Sequence, residues 1–560
     1  MTATDKTIQV YCENNRTSLY VQEGTTTGQI LDMLALHTPS PVVACFADNH
    51  MKELSTRIYS PKNLRYVELA SPDGMRVYAR SLFFLLHKAL LDCYPNAHLR
   101  ILHTASRGYY GEIDGLEGPL TDEQVQTIKQ RMRALVELDL PIVREKLLME
   151  DIEKLYHSYG YEDKLALLGT RPQYFITVYN LGGLPGYFYG AMVVSTGALK
   201  VFDLQPFGDG FVLLMPRRED WTRVEPMCLE PKLFSVFQQN KEWADILQIS
   251  DVGSLNSRVL EGEASQMIKV GEALQEKTLA RIADTILERH DREGVKIVFV
   301  AGPSSSGKTT LSKRLSIQLR VLGLEPQTIS LDDYFVDREH TPRDENGNYD
   351  FEALEAVDIE AFNSDLNRLF AGERVEMPKF RFTDGKRYYD GTTLQLSDRG
   401  ILIVEGIHGL NPGLTPHVEE HLKFKIYASA LTTLSLDNLS VISTTDNRLL
   451  RRIVRDSKYR GRSAYDTLKG WSSVRRGEDK YIFPYQEQAD VMVNTALFFE
   501  ISILKQYARP LLVQVPANTP EYAEALRLMK FLDYFVEIPD RELPPTSILR
   551  EFLGGSSFSY

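Results

Sequence analysis

An apolar run, Val295-Lys296-Ile297-Val298-Phe299-Val300-Ala301, leads into Gly302-Pro303-Ser304-Ser305-Ser306-Gly307-Lys308-Thr309-Thr310 and then into a helix-like segment over residues 311–322. Strand, Gly-x-x-x-x-Gly-Lys-Thr turn and helix in that order turn successive N–H groups into one concavity at the positive end of a helix. Gly302 and Gly307 admit backbone conformations that a side chain would forbid. Such a loop, from Gly302 through Ser304, Ser305, Ser306, Gly307, Lys308, Thr309 and Thr310, cradles phosphates. Lys308 reaches the β- and γ-phosphates, and the Thr309 hydroxyl ligates Mg²⁺. The pattern predicts binding of a nucleoside triphosphate, ATP, with Mg²⁺. It leaves open whether GTP can replace ATP, and it names no acceptor.

With 560 residues the chain is too long for one core, so about three to four domains are expected. A net charge of -12 argues against a general binder of nucleic acid or anionic membrane. Cys12, Cys45, Cys93 and Cys228 are scattered, as expected of reduced thiols and not of a disulfide framework or zinc ribbon. The first residues carry no apolar signal core, and no apolar stretch is long enough to span a bilayer. A soluble cytoplasmic protein is expected.

Residues 1–70 read as a small β-grasp module. Strands are expected at 7–13, 18–22, 42–46 and 65–69, with Thr27 capping a helix over 28–36. Residues 72–225 read as an α+β domain, with an amphipathic helix over 80–94 stopped by Pro95. Thr121 and Gln124 form a capping-box pattern there, and strands are expected at 174–179 and 211–215. Residues 226–290 read as a helical connector. From 291 to 515, strand candidates at 295–301, 328–331, 401–405, 424–427, 491–494 and 511–515 alternate with helical patterns. That alternation predicts an α/β fold, a mostly parallel sheet with helices on both faces. Residues 516–560 read as a partly helical tail with a disordered Gly/Ser-rich end.

Further elements follow the phosphate loop. Asp332 and Asp333 end the second strand, where ligands of open α/β sheets bind, and a carboxylate there can accept the proton of an attacking hydroxyl. Glu405 ends a buried strand and can bind Mg²⁺ opposite Thr309. If Asp446 caps a helix, Arg448, Arg452 and Arg455 share one face, and Arg460-Gly461-Arg462 beyond suits a moving lid that clamps phosphoryl charge. Residues 348–351 and 378–382 mix aromatics with an acid, as a sugar or nucleoside pocket would and as surface loops also can.

From Val295 to about Leu512 these elements, in order, resemble the uridine kinase/phosphoribulokinase family. They are the loop, Ser330-Leu331-Asp332-Asp333-Tyr334-Phe335, Tyr349-Asp350, Val404-Glu405-Gly406-Ile407, Arg451-Arg452-Ile453-Val454-Arg455-Asp456 with Arg460-Gly461-Arg462, and Ile482-Phe483-Pro484. The resemblance implies that Asp332 is the general base, with Lys308 and Arg455 as catalytic partners. It implies Asp350 as the ribose-hydroxyl ligand, Glu405 as the magnesium acid, and Arg452, Arg460 and Arg462 as lid arginines on phosphate and nucleoside. Phe380 and Arg387 fall in the stretch that reads the pyrimidine in that family. Phe380 replaces a tyrosine and Gly385 a histidine, so a primary-alcohol acceptor is expected and the base preference is open.

Residues 1–70 resemble the TGS domain, and 72–225 the second additional, editing-type domain of threonyl-tRNA synthetase, on Gly108-Tyr109-Tyr110-Gly111-Glu112-Ile113-Asp114 and the helix after Thr121. Where that family carries metal ligands, this chain has Arg80, Phe84, Asn180 and Leu184, so no metal and no editing hydrolysis are expected there. His87, one turn away, is read as structural. The leading expectation is a nucleoside kinase, a homo-oligomer without membrane partners. The alternative is an RNA- or ribosome-associated regulator that uses ATP as a switch.

Overall fold

A computed structural model describes residues 6–171, 173–344, 347–381 and 383–559; the expectations placed on residues 1–5 and on Phe382 lie outside them. The first sheet contains β1 (Thr7–Cys12), β2 (Thr17–Gln22), β3 (Val42–Ala47), β4 (His50–Lys52) and β5 (Lys62–Glu68), in the order β2-β1-β5-β3-β4. β1 and β2 are antiparallel, while β1 and β5 are parallel. Alternation on β1 turns Ile8, Val10 and Cys12 onto Ile30 of α1 (Thr27–Leu34). The cap of α1 is Thr26, not Thr27: Thr26 and Gln29 form a capping box, and the Thr27 hydroxyl is buried against the Glu53 carbonyl.

The second unit is built on α2 (Pro72–Cys93), which starts eight residues earlier than expected because Ser71 caps it and Pro72 opens it. Then come β6 (His98–Ala105), β7 (Gly108–Asp114), α3 (Asp122–Glu137), β8 (Ile142–Leu148), α4 (Met149–Tyr159), α5 (Glu162–Gly169), β9 (Phe175–Leu181), β10 (Leu184–Gly186), β11 (Asp203–Phe207) and β12 (Gly210–Leu214). They form two antiparallel sheets, β11-β12-β7-β6 and β10-β9-β8. The capping box at Thr121 and Gln124 is present. Three helices follow: α6 (Pro231–Leu247), α7 (Val252–Leu260) and α8 (Ala264–Glu293).

The third unit has five parallel strands, β13 (Ile297–Ala301), β14 (Glu325–Ser330), β17 (Gly400–Glu405), β18 (Lys423–Ser429) and β21 (Val491–Asn494), in the order β14-β17-β13-β18-β21. Residues pointing to opposite faces enter different cores. Val298, Val300, Ile401 and Ile403 pack on α8 and α9 (Lys308–Val321). Ile297, Phe299, Leu402 and Val404 pack on α10 (Ile359–Phe370). The sheet is therefore covered on both sides, and α8 is one of its layers. Between α10 and β17 an antiparallel hairpin, β15 (Val375–Arg381) and β16 (Lys386–Leu394), projects; a small pair, β19 (Ser435–Asp437) and β20 (Ser440–Val441), follows β18.

Helices α11 (Thr444–Tyr459), α12 (Ala464–Tyr481), α13 (Glu500–Val513), α14 (Glu521–Leu532) and α15 (Arg550–Leu553) complete the chain. Two expectations are corrected here. The apolar run at 511–515 is no strand: it ends α13, and Leu512 is buried in a helical core. A short apolar run fits strand or helix equally, and the local pattern could not decide. The Gly/Ser-rich end expected to be disordered is instead tied down: the Gly554 N–H donates to the Arg550 carbonyl at 2.9 Å and the Ser557 N–H to the Pro545 carbonyl at 3.0 Å, beside the buried Ile548, Leu549, Phe552 and Leu553. Among the described residues, no helix is long and apolar enough to cross a membrane.

Candidate active site

The loop between β13 and α9 is tightly determined. A Cβ on Gly302 would lie 1.9 Å from the Ala428 carbonyl oxygen. Gly307 has a φ of +83°, and a Cβ there would press on Ile548. Lys308 folds over the loop and donates to the carbonyls of Gly302 (2.9 Å) and Pro303 (3.1 Å). Burial pulls the Lys308 ammonium down, against the pull of Glu405, Asp332 and Glu551.

Thr309 and Glu405 meet: the Thr309 hydroxyl donates to Glu405 Oε1 at 3.3 Å, and Ser330 donates to the same oxygen at 3.2 Å. Burial, with Asp332 nearby, pushes the Glu405 carboxyl up to about 7. A half-buried carboxyl beside two hydroxyls is a hard oxygen donor set, and it fits Mg²⁺.

Asp332 and Asp333 part company in the 3-10 turn after β14. Asp333 is tied to the hairpin, pairing with Lys379 at 2.9 Å and accepting from the Phe380 N–H at 3.2 Å. Asp332 makes no ion pair within 4.0 Å among the described residues. Burial pushes its carboxyl up; Lys308, Arg460 and Arg455 oppose that and Asp333 adds to it.

Asp446 does not cap α11. Ser443 does, its side chain accepting from Thr445 N at 3.2 Å, while Asp446 in the first turn pairs with Arg527. The arginines divide by burial. Arg448 pairs with the buried Glu478 and donates to the Ser304 carbonyl at 3.0 Å; Arg451 pairs with the buried Glu500 at 2.6 Å. Both are therefore structural clamps on the loop backbone, and Arg448 does not join the phosphate-facing row expected of it. Arg452 donates to Ser304 Oγ at 2.6 Å, and the Ser304 N–H donates to Glu478 at 3.1 Å. The buried Asp456 gathers Arg455 (2.9 Å), Arg452 (3.3 Å) and Arg460 (3.7 Å). Burial and Arg455 pull the Arg460 guanidinium down to about 10. Arg462 lies exposed past Gly461 (φ +60°), its N–H on the Asp456 carbonyl.

Asp350 accepts from the Tyr481 hydroxyl (3.1 Å) and the Glu352 N–H (3.2 Å). Phe380 packs edge-on against Phe335, and Arg387 pairs with Asp358 at 2.8 Å. Lys308, Thr309, Asp332, Glu405 and Arg455 thus gather around the loop with Arg452 and Arg460, whereas Phe380 and Arg387 sit on the hairpin.

Four acids were missed from sequence. Glu352 is pushed up to about 7 by burial and by Glu478, and feels Arg452, Lys308 and Asp332. Asp456 and Glu478 hold arginines. Glu551, in the tail, accepts from Thr310 N (3.1 Å) and Thr310 Oγ1 (2.7 Å), at the helix terminus where such loops hold phosphates. The one available signal was for Glu551: Ile548, Leu549, Phe552 and Leu553 have apolar spacing suited to a docked helical turn. In the second unit, Arg80 donates to the Ala191 carbonyl, Phe84 and Leu184 are buried, and Asn180 accepts from Gly183 N at 2.9 Å. His87 is buried, and desolvation pulls it down to about 3.

Residues 297–501 match the phosphoribulokinase/uridine kinase family. The uridine kinase of Staphylococcus aureus is 29% identical over 198 residues, which are 35% of this chain and 86% of that protein. In its N-terminal part the chain is similar to threonine–tRNA ligases. That of Rubrobacter xylanophilus is 32% identical over 142 residues, 25% of this chain. The match spans only 22% of the ligase. The structure of a possible uridine kinase from Bacillus stearothermophilus aligns at a TM-score of 0.23 and 21% identity, over 35% of this chain and 88% of that one.

Proposed function

We propose that this chain is an ATP- and Mg²⁺-dependent phosphotransferase that phosphorylates the primary 5'-hydroxyl of a nucleoside such as uridine or cytidine. The observation that carries the reading is Asp332: a half-buried carboxyl at a strand tip, with no ion pair within 4.0 Å among the described residues, under the influence of the phosphate-loop Lys308. The family match over 297–501 and the likeness to uridine kinases support it. Asp332 accepts the hydroxyl proton as the oxygen attacks the γ-phosphorus, and the bond from that phosphorus to the bridging oxygen of the departing ADP breaks. Lys308, Arg455 and Arg460 stabilise the charge that develops on the transferred group. Thr309 and Glu405 would hold Mg²⁺, which when bound neutralises phosphate charge. Asp350 and Arg452 would position the acceptor. The division into units near residues 70, 225, 290 and 515, with TGS-like and synthetase-like modules first, belongs to the same proposal.

A panel of nucleosides and simple alcohols, assayed with ATP and with GTP for 5'-monophosphate formation, tests it. The expected result is a phosphorylated nucleoside made in step with ADP. RNA-stimulated hydrolysis with no phosphorylated acceptor would replace this reading with an ATP-switched RNA-associated one.

A further inference from the structure

Away from the phosphate loop, a cavity of about 310 Å³ lies where β4, α2, the β8–β9 pair and α14 meet. Its walls collect cations from all three parts of the chain. Lys52 comes from β4, and Arg76 and Arg80 from α2. Arg144 and Arg171 come from the second unit, and Arg527 and Lys530 from α14. Only Glu53 and Asp73 among the lining residues are acids, in a chain whose net charge is -12.

Acids hold part of this charge: Arg76 pairs with Asp73 on the wall (2.7 Å) and with Glu524 outside it (3.2 Å), and Arg527 grips both oxygens of Asp446 at 2.7 Å and pairs with Glu524 at 2.6 Å. The rest is compensated weakly or by no acid at all. Arg144 reaches Glu53 only at 3.7 Å, and among the described residues Lys52, Arg80, Arg171 and Lys530 make no ion pair within 4.0 Å. Lys530 is pulled down by burial and then by Lys52 and Arg144, cations that crowd one another. Gathering like charges beside low-dielectric walls is unfavourable unless an anion shares the space. The walls are also aromatic: Phe175 is 51% exposed, and the Arg171 guanidinium lies 4.1 Å from the centroid of the Tyr534 ring. A cavity of this volume is the size of a small-molecule site.

We propose that this cavity is a second nucleotide site, separate from the phosphate loop, which takes a nucleoside polyphosphate with its phosphates among Lys52, Arg144 and Lys530 and its base against the aromatic wall. The site is mechanically joined to the first. Arg527 on its wall holds Asp446 in the first turn of α11, the helix whose Arg448 and Arg451 clamp the loop. An anion in the cavity competes with Asp446 for Arg527, so its occupancy bears on how α11 is held. This inference does not depend on the proposed phosphotransfer.

The test uses the full chain carrying Lys308→Ala, which weakens nucleotide binding at the loop. Equilibrium dialysis with UTP, CTP and ATP, and with tripolyphosphate as the base-free probe, should show one nucleoside triphosphate held per chain. Tripolyphosphate should bind at least tenfold more weakly. Adding Lys530→Glu or Arg144→Glu, both at the exposed rim, should weaken binding tenfold or more with the melting temperature kept. Adding Asp446→Asn, which leaves Arg527 held by Glu524 alone, should tighten it severalfold. No triphosphate bound at millimolar concentration, indifference to both rim reversals, tripolyphosphate equal to the nucleotides, or binding of a single-stranded oligonucleotide alone would each overturn the site. An unchanged affinity in Asp446→Asn would overturn its link to α11.

Discussion

Glu551 sits on the phosphate loop like a tethered anion, and Glu551→Gln measures what that contact does. Its Oε2 accepts from Thr310 N at 3.1 Å and from Thr310 Oγ1 at 2.7 Å, at the positive end of α9 and near Lys308. Hydrogen bonds to an ionised group contribute about 1.5–3 kcal/mol, and a carboxylate at a helix N-terminus adds about 0.3–1 kcal/mol. A triphosphate that needs these donors must displace the carboxylate. Glutamine keeps the shape but loses the charge, so roughly 1.5–3 kcal/mol of competition is relieved. At about 1.4 kcal/mol per decade, this is about a ten- to hundredfold gain in ATP affinity. Isothermal titration of ATP at fixed Mg²⁺ and salt reads it directly. In the absence of nucleotide the same substitution should lower the melting temperature, because the cap on α9 is weakened. An ATP affinity that is unchanged or lower in Glu551→Gln would refute the competition and leave Glu551 as part of the scaffold.

Three further outcomes are expected. Gly302→Ala places a Cβ 1.9 Å from the Ala428 carbonyl and should cost about 3 kcal/mol of stability together with nucleotide binding, read by thermal melts with and without ATP; a stable, ATP-binding variant would contradict it. Arg451→Met strands the buried Glu500 carboxylate and should cost about 3–5 kcal/mol in denaturant unfolding, with Glu500→Gln added to it restoring part; equal stability of the single and double variants would contradict the pairing. His87 is held neutral, pulled down to about 3, so the unfolded chain takes up its proton first as pH falls below about 6.5. Stability should decline from there toward pH 3, by roughly 2–3 kcal/mol at pH 4.5, and His87→Leu should flatten the acid slope; equal slopes would exclude His87 as a source.

What could be read in advance was local. The phosphate loop is a continuous run whose glycines, lysine and threonine each answer a stereochemical demand within nine residues. Glu405 and Asp332 were legible because strand ends in an open α/β sheet face the ligand side. The arginines of α11 were legible as a cluster but not in their division of labour. Arg448 is held by Glu478 on α12 and Arg451 by Glu500 on α13, and nothing in the spacing of one helix announces partners on two others. The run at 511–515 and the tail failed for a related reason. Short apolar segments take their conformation from the core they join, and that core includes α11, α13 and α15. The cap of α1 fell one residue early because Thr26 and Thr27 are chemically alike, and only the buried bond from Thr27 to the Glu53 carbonyl separates them.

The most direct test of the account is Asp332→Asn, assayed on the nucleoside that the wild-type chain phosphorylates. ATP affinity should stay within about threefold, while single-turnover phosphoryl transfer falls by about 10²–10⁴, the range for a lost general base. Transfer at the wild-type rate with ATP still bound would contradict the claim that this carboxylate takes the acceptor's proton.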